Sequence, residues 1–303
     1  MNNNNTLDEL IIDLCGAGNL VDIQRLLELH PDYNIYTRDN KIFQVACENG
    51  HLHIAQWLLQ IKPDINISVR NNYSFRIACQ KGYLNLAKWL YQIKPKIDIS
   101  NNDECVFRWA CQNGHLHIAQ WLLQIKPDIN ISDENEQAFR KACGSGNIQL
   151  VKWLLQIKPD IDISADDDAA FRYACGSGNI QLVKWLLQIK PDIDISADDD
   201  AAFRYACGHL EVAKWLYQIK PDIDISAKDE VAFRDACINE HLDVAKWLLQ
   251  IKPDIDISAY GHQAFQWACE EGNIKIAQWL TTLNSSYQIL TINNEIKSFH
   301  VSN

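Results

Sequence analysis

"GSGNIQLVKWLLQIKPDIDISADDDAAFRYAC" occupies Gly144–Cys175 and returns, letter for letter, at Gly176–Cys207. A catalytic site is assembled once, from residues that distant parts of a chain bring together. Text copied back to back suits a structure that grows by stacking. The first question for these 303 residues is therefore how far the copying extends.

It extends over almost the whole chain. Cys47, Cys79, Cys111, Cys143, Cys175, Cys207, Cys237 and Cys269 each follow an alanine at steps of 32 residues, with one step of 30 after Cys207, and Cys15 precedes them. Trp57, Trp89, Trp121, Trp153, Trp185, Trp215, Trp247 and Trp279 keep the same period, and so do the eight prolines from Pro31 to Pro253. Nine units result, the first atypical and the last cut short. The expected organisation is a capping repeat at 1–36, an array of eight repeats at 37–282 and a C-terminal tail at 283–303.

One unit reads as helix, turn, helix, finger. Phe171, Ala174 and Cys175 fall at i, i+3 and i+4, which predicts a short helix with one apolar edge. The acids Asp166–Asp168 before it suit a helix N-cap and first turn, where unpaired N–H groups point outward. Gly178 ends that helix in the left-handed conformation glycine tolerates. "NIQLVKWLLQI" is a second helix, apolar on more than half its circumference, as a helix covered on two sides must be. Lys190 suits its C-terminus and Pro191 stops it. "DIDIS" then alternates and reaches outward to the next unit.

The text "AC-x-x-G-H/N-[LI]-x-[LIV]-[AV]-x-W-L-L", followed by "D-I-D/N", resembles the ankyrin repeat, and the resemblance runs from about Leu7 to Leu280. It implies an all-α fold with short extended fingers, an ankyrin-repeat solenoid. The wording "A-F-R-x-A-C" and "W-L-x-Q-I-K-P-D-I-D-I-S" is similar to ankyrin proteins of giant amoeba-infecting DNA viruses, which implies a virus–host setting. The family's Thr-Pro-Leu-His start is absent. Phe holds the Leu slot, and Arg76, Arg108, Arg140, Arg172, Arg204 and Arg234 hold the His slot, with Gln44 and Gln266 at the ends. Pairing of these arginines with finger carboxylates is the expected substitute for the bonds that His would make.

Two faults interrupt the pattern. "ACGHLEV" at Ala206–Val212 lacks two residues of the usual inter-helix turn, and Glu240 replaces the turn glycine of the next unit. A non-glycine residue in the left-handed conformation costs on the order of 1 kcal/mol. The array is expected to be weakest between Ala202 and Leu248.

Composition sets the limits. A net charge of −11 and a pI near 5.2 argue against nucleic acid, which calls for a basic face. Apolar residues make up 47%, as in folded soluble proteins, with no run of membrane-spanning length. "MNNNNTLDEL" has neither the basic nor the apolar region of a secretory signal, so a cytoplasmic location with reduced cysteines is expected.

No chemistry is indicated. Equivalent cysteines in layers about 8–10 Å apart are too distant for disulfides, which need Cα atoms within about 7 Å. The ladder cysteines read as small buried residues and Cys105 as an unremarkable thiol. His51 with His53, and His115 with His117, are two apart and diverge on a helix, so no metal is expected. The tryptophan ladder reads as packing between units. No nucleophile elbow or phosphate loop appears, and no cofactor is expected.

Recognition is expected where the letters change, because the constant letters hold a stack together. One variable slot, two after the Phe, holds Val45, Ile77, Trp109, Lys141, Tyr173, Tyr205, Asp235 and Trp267. The other is the finger tip: "VRNNY" at 69–73, "NNDEC" from Asn101, "DENEQ" from Asp133, "ADDDA" from Ala165 and Ala197, "AKDEV" from Ala227 and "AYGHQ" from Ala259. In ankyrin proteins these positions line the concave face that grips a protein partner. The resemblance therefore makes Asn71, Tyr73, Trp109, Glu134, Lys141, Asp167, Tyr173, Asp199, Tyr205, Lys228, Asp235, Tyr260 and Trp267 the partner-binding candidates. The acids from Asp133 to Glu230 suit a basic patch on that partner. A monomeric, non-enzymatic scaffold is the reading, with a ubiquitin-ligase adaptor or a virion component as alternatives. The adaptor would need an F-box-like helix opening Leu-Pro, which "TTLNSSYQILTINNEIKSFHVSN" does not contain.

Overall fold

"NIQLVKWLLQI" forms the helix Ile148–Ile157 in one copy and Ile180–Ile189 in the other. Asn147 starts the first of these by accepting the N–H groups of Gln149 and Leu150, both at 3.1 Å, and so satisfies two of the donors that a helix start leaves free. Leu150, Val151 and Leu154 are fully buried. Each such side chain removed from water contributes on the order of 1.5–3 kcal/mol. Lys158 closes the helix, its N–H reaching the Leu154 carbonyl at 3.0 Å, and Pro159 prevents continuation.

The computed structural model describes residues 3–33, 37–94, 97 and 104–302. The finger tip from Asn101 and the Cys105 side chain lie outside the described residues. Two compact units are present, residues 1–133 and 134–303. The first holds the helix pairs Asn3–Gly16 with Leu20–Leu29, Thr37–Glu48 with Leu52–Ile61, Val69–Gln80 with Leu84–Ile93, and Glu104–Gln112 with Leu116–Ile125. The second holds Asp133–Gly144 with Ile148–Ile157, Ala165–Gly176 with Ile180–Ile189, Ala197–Ala206 with Leu210–Ile219, Ala227–Ile238 with Leu242–Ile251, and Ala259–Glu270 with Ile274–Leu283. The Phe–Ala–Cys edge forms the core: Phe139, Phe171, Phe203, Phe233 and Phe265 are all 0% exposed.

The fingers explain "D-I-D-I-S". Ile161, Ile193, Ile223 and Ile255 are buried, and the next Asp folds the chain back on itself. Asp162 Oδ1 accepts the Ser164 N–H at 3.0 Å, and the same turn recurs at Asp194, Asp224 and Asp256.

The acids at the finger tips do not cap helices, contrary to the sequence expectation. Asp166, Asp167 and Asp168 have φ of 60°, 54° and 57°, one left-handed turn before the right-handed helix begins. Arg70–Asn72, Glu134–Glu136, Asp198–Asp200, Lys228–Glu230 and Tyr260–His262 do the same. Left-handed backbone costs an L-residue roughly 1–2 kcal/mol, least for Asn and Asp. The row of arginines offsets that cost by donating to the carbonyls of the turn. Arg140 reaches Asn135 O at 2.8 Å and Glu134 O at 2.9 Å, and Arg204 reaches Asp199 O at 3.1 Å and Asp198 O at 2.6 Å.

Three of the arginines pair with carboxylates of the next finger, as expected, while Arg234 meets Gln263 there. Arg108 meets Asp133 at 2.8 Å, Arg172 meets Asp198 at 2.7 Å, and Arg140 meets Asp166. The third tip residue is also structural: Asp168 accepts the Asp194 N–H, and Asp200 the Asp224 N–H, both at 3.1 Å. Of the first Asp triplet only the middle member, Asp167, is left over, while Asp199 of the second pairs with Lys228 at 3.3 Å.

At an ordinary turn the first N–H of the second helix's cap residue bonds a carbonyl five residues back, as His51 to Ala46 at 2.8 Å. Gly50 there has φ +75°, and a Cβ on it would stand 2.7 Å from the Tyr83 ring. At the short turn His209 bonds only three back, to Ala206 at 2.7 Å, and the first helix loses its end. Its ring still reaches Gly176 O at 3.0 Å, as His51 reaches Gly16 O and His115 reaches Gln80 O, both at 2.9 Å. The stack continues through the fault. Glu240 adopts φ 69°, the glycine conformation the sequence had predicted there.

The segment after the last helix pair is an antiparallel hairpin, Tyr287–Ile292 with Glu295–Val301, turning through Asn293 and Asn294 at φ 51° and 61°. Tyr287, 3% exposed, stacks on Phe265 at 4.2 Å, and Phe299 meets the same ring edge-on at 6.0 Å. The hairpin thereby covers the core face of the last repeat.

Candidate functional site

The helical period that buries Phe171, Ala174 and Cys175 leaves Tyr173 on the flank of its helix. In the second unit this slot forms a row. Lys141 Nζ lies 5.2 Å over the Tyr173 ring, and Tyr173 stacks on Tyr205 at 6.3 Å and 22°. Lys141 and Tyr173 are half-buried and Asp235 is exposed, while Tyr205 is 43% and Trp267 39% exposed. In the first unit, Trp109 is half-buried with the Arg76 guanidinium 5.7 Å over it, and Ile77 is half-buried. Val45 departs from the expectation: it is 7% exposed, packed toward Gly16 at the end of the first helix.

At the finger tips Asn71, Glu134, Asp167, Asp199 and Lys228 are exposed. Lys228 pairs with Asp199 at 3.3 Å and with Asp198 at 3.7 Å, which joins two candidates and neutralises part of the acidic ridge. Tyr260 is 69% exposed, with Arg234 4.7 Å over its ring. Tyr73 is half-buried, and burial, followed by its hydrogen bond to Glu48, raises its phenol above the usual range.

The Asp235 carboxyl is shifted upward. Burial holds it above the ordinary value, against the opposing pull of Arg234 and Arg204. Among the described residues no hydrogen bond or ion pair takes up this carboxylate.

The tryptophan row packs between units but is less covered than expected. Only Trp121, at 8% exposure, is buried; the others are half-buried at the edge of the second helices. Phe75 and Tyr91 meet Trp121 at 6.2 and 5.8 Å, and Phe203 and Tyr217 meet Trp247 at 6.2 and 6.0 Å. Lysines of the preceding repeat cover other indoles, Lys152 over Trp185 at 5.2 Å and Lys184 over Trp215 at 5.7 Å.

The ladder cysteines are buried thiols. Burial pushes Cys15 and Cys47 up to about 12 and the inner ones further, so they carry no thiolate at neutral pH. Among the described residues no group of three His, Cys, Asp or Glu is set to hold a metal ion, and no helix is long and apolar enough to cross a membrane.

Stacked helix pairs, outreaching fingers and a constant core are what the family comparison recognises. A three-copy ankyrin-repeat model matches residues 3–103, 75–167 and 139–229, and a many-copy ankyrin-repeat model matches 233–281. The chain belongs to the ankyrin-repeat family. Its fold is an ankyrin-repeat solenoid, with the terminal hairpin as an addition to the all-α pattern. The human ASB11 ankyrin repeat domain is similar to it at a TM-score of 0.48 and 17% identity, over 69% of this chain and 96% of that one. No curated protein matches its sequence. Ankyrin repeats are an interaction scaffold for proteins, and that function is the one the family carries.

Sequence reasoning missed two working parts. The bracing role of the third acid left no local signal, because "DDD" reads the same whichever member is used. The hairpin did leave one: "YQILTINNEIKSFHV" alternates on both sides of Asn-Asn, a two-residue turn pair that favours positive φ.

Proposed function

We propose that the repeat array at 37–282, flanked by a capping repeat at 1–36 and the segment 283–303, holds a protein partner on the face formed by its finger tips and first helices. The observation that carries this is the division of labour within each first helix of the second unit. Phe, Ala and Cys are sealed in the core, while Tyr205 and Trp267 stand 43% and 39% exposed beside them. Tyr and Trp supply much of the energy of protein interfaces when a partner covers them. Tyr173, Tyr205, Asp235 and Trp267 form the central contact in the second unit, with Lys141, Glu134, Asp167, Asp199, Lys228 and Tyr260 around it. Asn71, Tyr73 and Trp109 are the corresponding contacts of the first unit. The protein acts as a cytoplasmic monomer without nucleic acid, in keeping with its charge of −11. A virus–host setting rests on the wording of the repeats alone.

The ligase-adaptor alternative asked for an additional helix after the array, and residues 287–301 are strand and turn instead. Affinity capture from host-cell lysate tests the main reading. A Tyr173→Ala, Tyr205→Ala, Trp267→Ala variant is expected to lose the proteins that the parent chain retains. Equal capture by both would move the binding face elsewhere.

A further inference from the structure

Two irregularities of the copied text meet at one place. The shortened turn at Cys207–His209 leaves an open recess of about 300 Å³, walled by Tyr205, Asp235 and Asn239 with His209 and His241 on the turn side. Arg204 stands at its edge but is committed to the Asp199 and Asp198 carbonyls, at 3.1 and 2.6 Å. One repeat further on lies a second recess of about 390 Å³, which shares Asn239 and is lined by Trp267, Glu240, Glu270 and Glu271. Glu240 is the residue that replaces the turn glycine.

The first recess sets the partly exposed Tyr205 beside one carboxylate, Asp235, and the second sets Trp267 beside Glu240, Glu270 and Glu271. That combination selects a cation, because a flat guanidinium stacks on an aromatic face while its N–H groups fork to a carboxylate. The acids of the finger tips, by contrast, are largely occupied by Arg140, Arg172 and Lys228. The Asp235 carboxylate is exposed and, among the described residues, makes no hydrogen bond or ion pair, so it is open to an incoming cation.

We propose that these paired recesses bind a basic peptide segment of the partner, one arginine side chain entering each. The inference rests on the reading that this face holds a protein partner, and it names the partner's chemistry. Neighbouring helix layers are about 8–10 Å apart, and an extended chain advances about 3.3 Å per residue. The two arginines are accordingly three residues apart.

The test uses the full chain and a fluorescent synthetic peptide with two arginines so spaced in a Ser/Gly background. Binding is read by anisotropy, with thermal melts confirming that each variant folds. Asp235→Asn and Trp267→Ala should each weaken binding on the order of tenfold, as loss of a well-placed charge or aromatic contact does. Asp160→Asn, at an exposed carboxylate that lines neither recess, should leave it unchanged. Inserting Ser-Gly after Gly208, which restores the ordinary turn and fills the first recess, should weaken binding even if Trp267→Ala fails to fold.

Binding that ignores Asp235→Asn and the insertion but falls with Asp167→Asn would overturn this inference and leave the finger-tip reading of the face intact. No binding of the peptide by the parent chain would also overturn it, while the lysate experiment would still judge the face itself. Loss of lysate capture in the aromatic triple variant, together with unchanged peptide binding in Asp235→Asn, would separate the two in the same way.

Discussion

Arg172 and Arg204 are the same letter of the same 32-residue text, yet Arg172 donates to Asp198 at 2.7 Å while Arg204 stands 4.0 Å from that carboxylate. Tyr173 is half-buried against Lys141 and Tyr205, whereas Tyr205 is 43% exposed with a recess beyond it. Asp168 is buried and Asp200 only half so. The helices themselves are alike, and the Phe, Ala and Cys of both copies are sealed to within 2% exposure. What differs is the neighbour: the first copy is followed by an identical unit, the second by a unit joined through a shortened turn. In an array each unit touches only the next, so identical text acquires different chemistry from the unit beside it.

The largest test of that comparison is the core, where no difference is expected. Phe171→Ala and Phe203→Ala should each cost roughly 3–5 kcal/mol, since both rings are fully buried. Urea unfolding read at the surrounding repeats measures it, and a gap of more than about a third between the two would break the claim that the copies share one core.

The arginines should differ. Arg172→Ala removes a part-buried ion pair to Asp198 and a bond to Asp166 O, and should cost about 2 kcal/mol. Arg204→Ala keeps the Asp198 side chain supplied by Arg172 and Lys228 and should cost about 1 kcal/mol less. Equal losses would mean that the carbonyl bonds to the left-handed turn, not the ion pair, set the stability of the fingers.

Glu240→Gly relieves a left-handed glutamate and should stabilise by about 1 kcal/mol. Amide exchange between Ala202 and Leu248, expected to be faster than around Trp153 in the parent chain, should slow in this variant. Exchange as slow in the parent as around Trp153 would remove the idea that the faults weaken the array.

The smallest effect is electrostatic. Burial raises the Asp235 carboxyl above its ordinary value of 3.8, so the folded state is favoured by the protonated form. That contribution is complete below the unfolded value and is lost as pH rises through the folded one. Stability of the parent chain should therefore fall relative to Asp235→Asn on going from strongly acidic to neutral pH. A flat difference between the two melting curves would show that Asp235 is not desolvated.

Much of this was legible in the letters. The period of Ala-Cys and Trp gave the repeats, the spacing of Phe171, Ala174 and Cys175 gave the core edge, and the missing residues after Cys207 gave the fault. The arginine–carboxylate pairing was also legible, because an arginine followed by an acidic finger tip recurs from Arg108 to Arg204. The use of Asp166–Asp168 was not. Helix N-cap and left-handed turn favour the same residue types, and local sequence does not separate them.

Sequence alone determined that this chain stacks, which side chains hold it together, and which positions vary, because a repeated hydrophobic pattern has only one way to bury itself. The tertiary structure decided which acids are spent on bracing the fingers and which face open space. It also decided that Val45 is inside while Tyr205 is outside, and that a two-residue shortening and Asp235 share one recess. Those outcomes depend on distances between neighbouring layers, and a periodic text is silent about what its neighbour leaves uncovered.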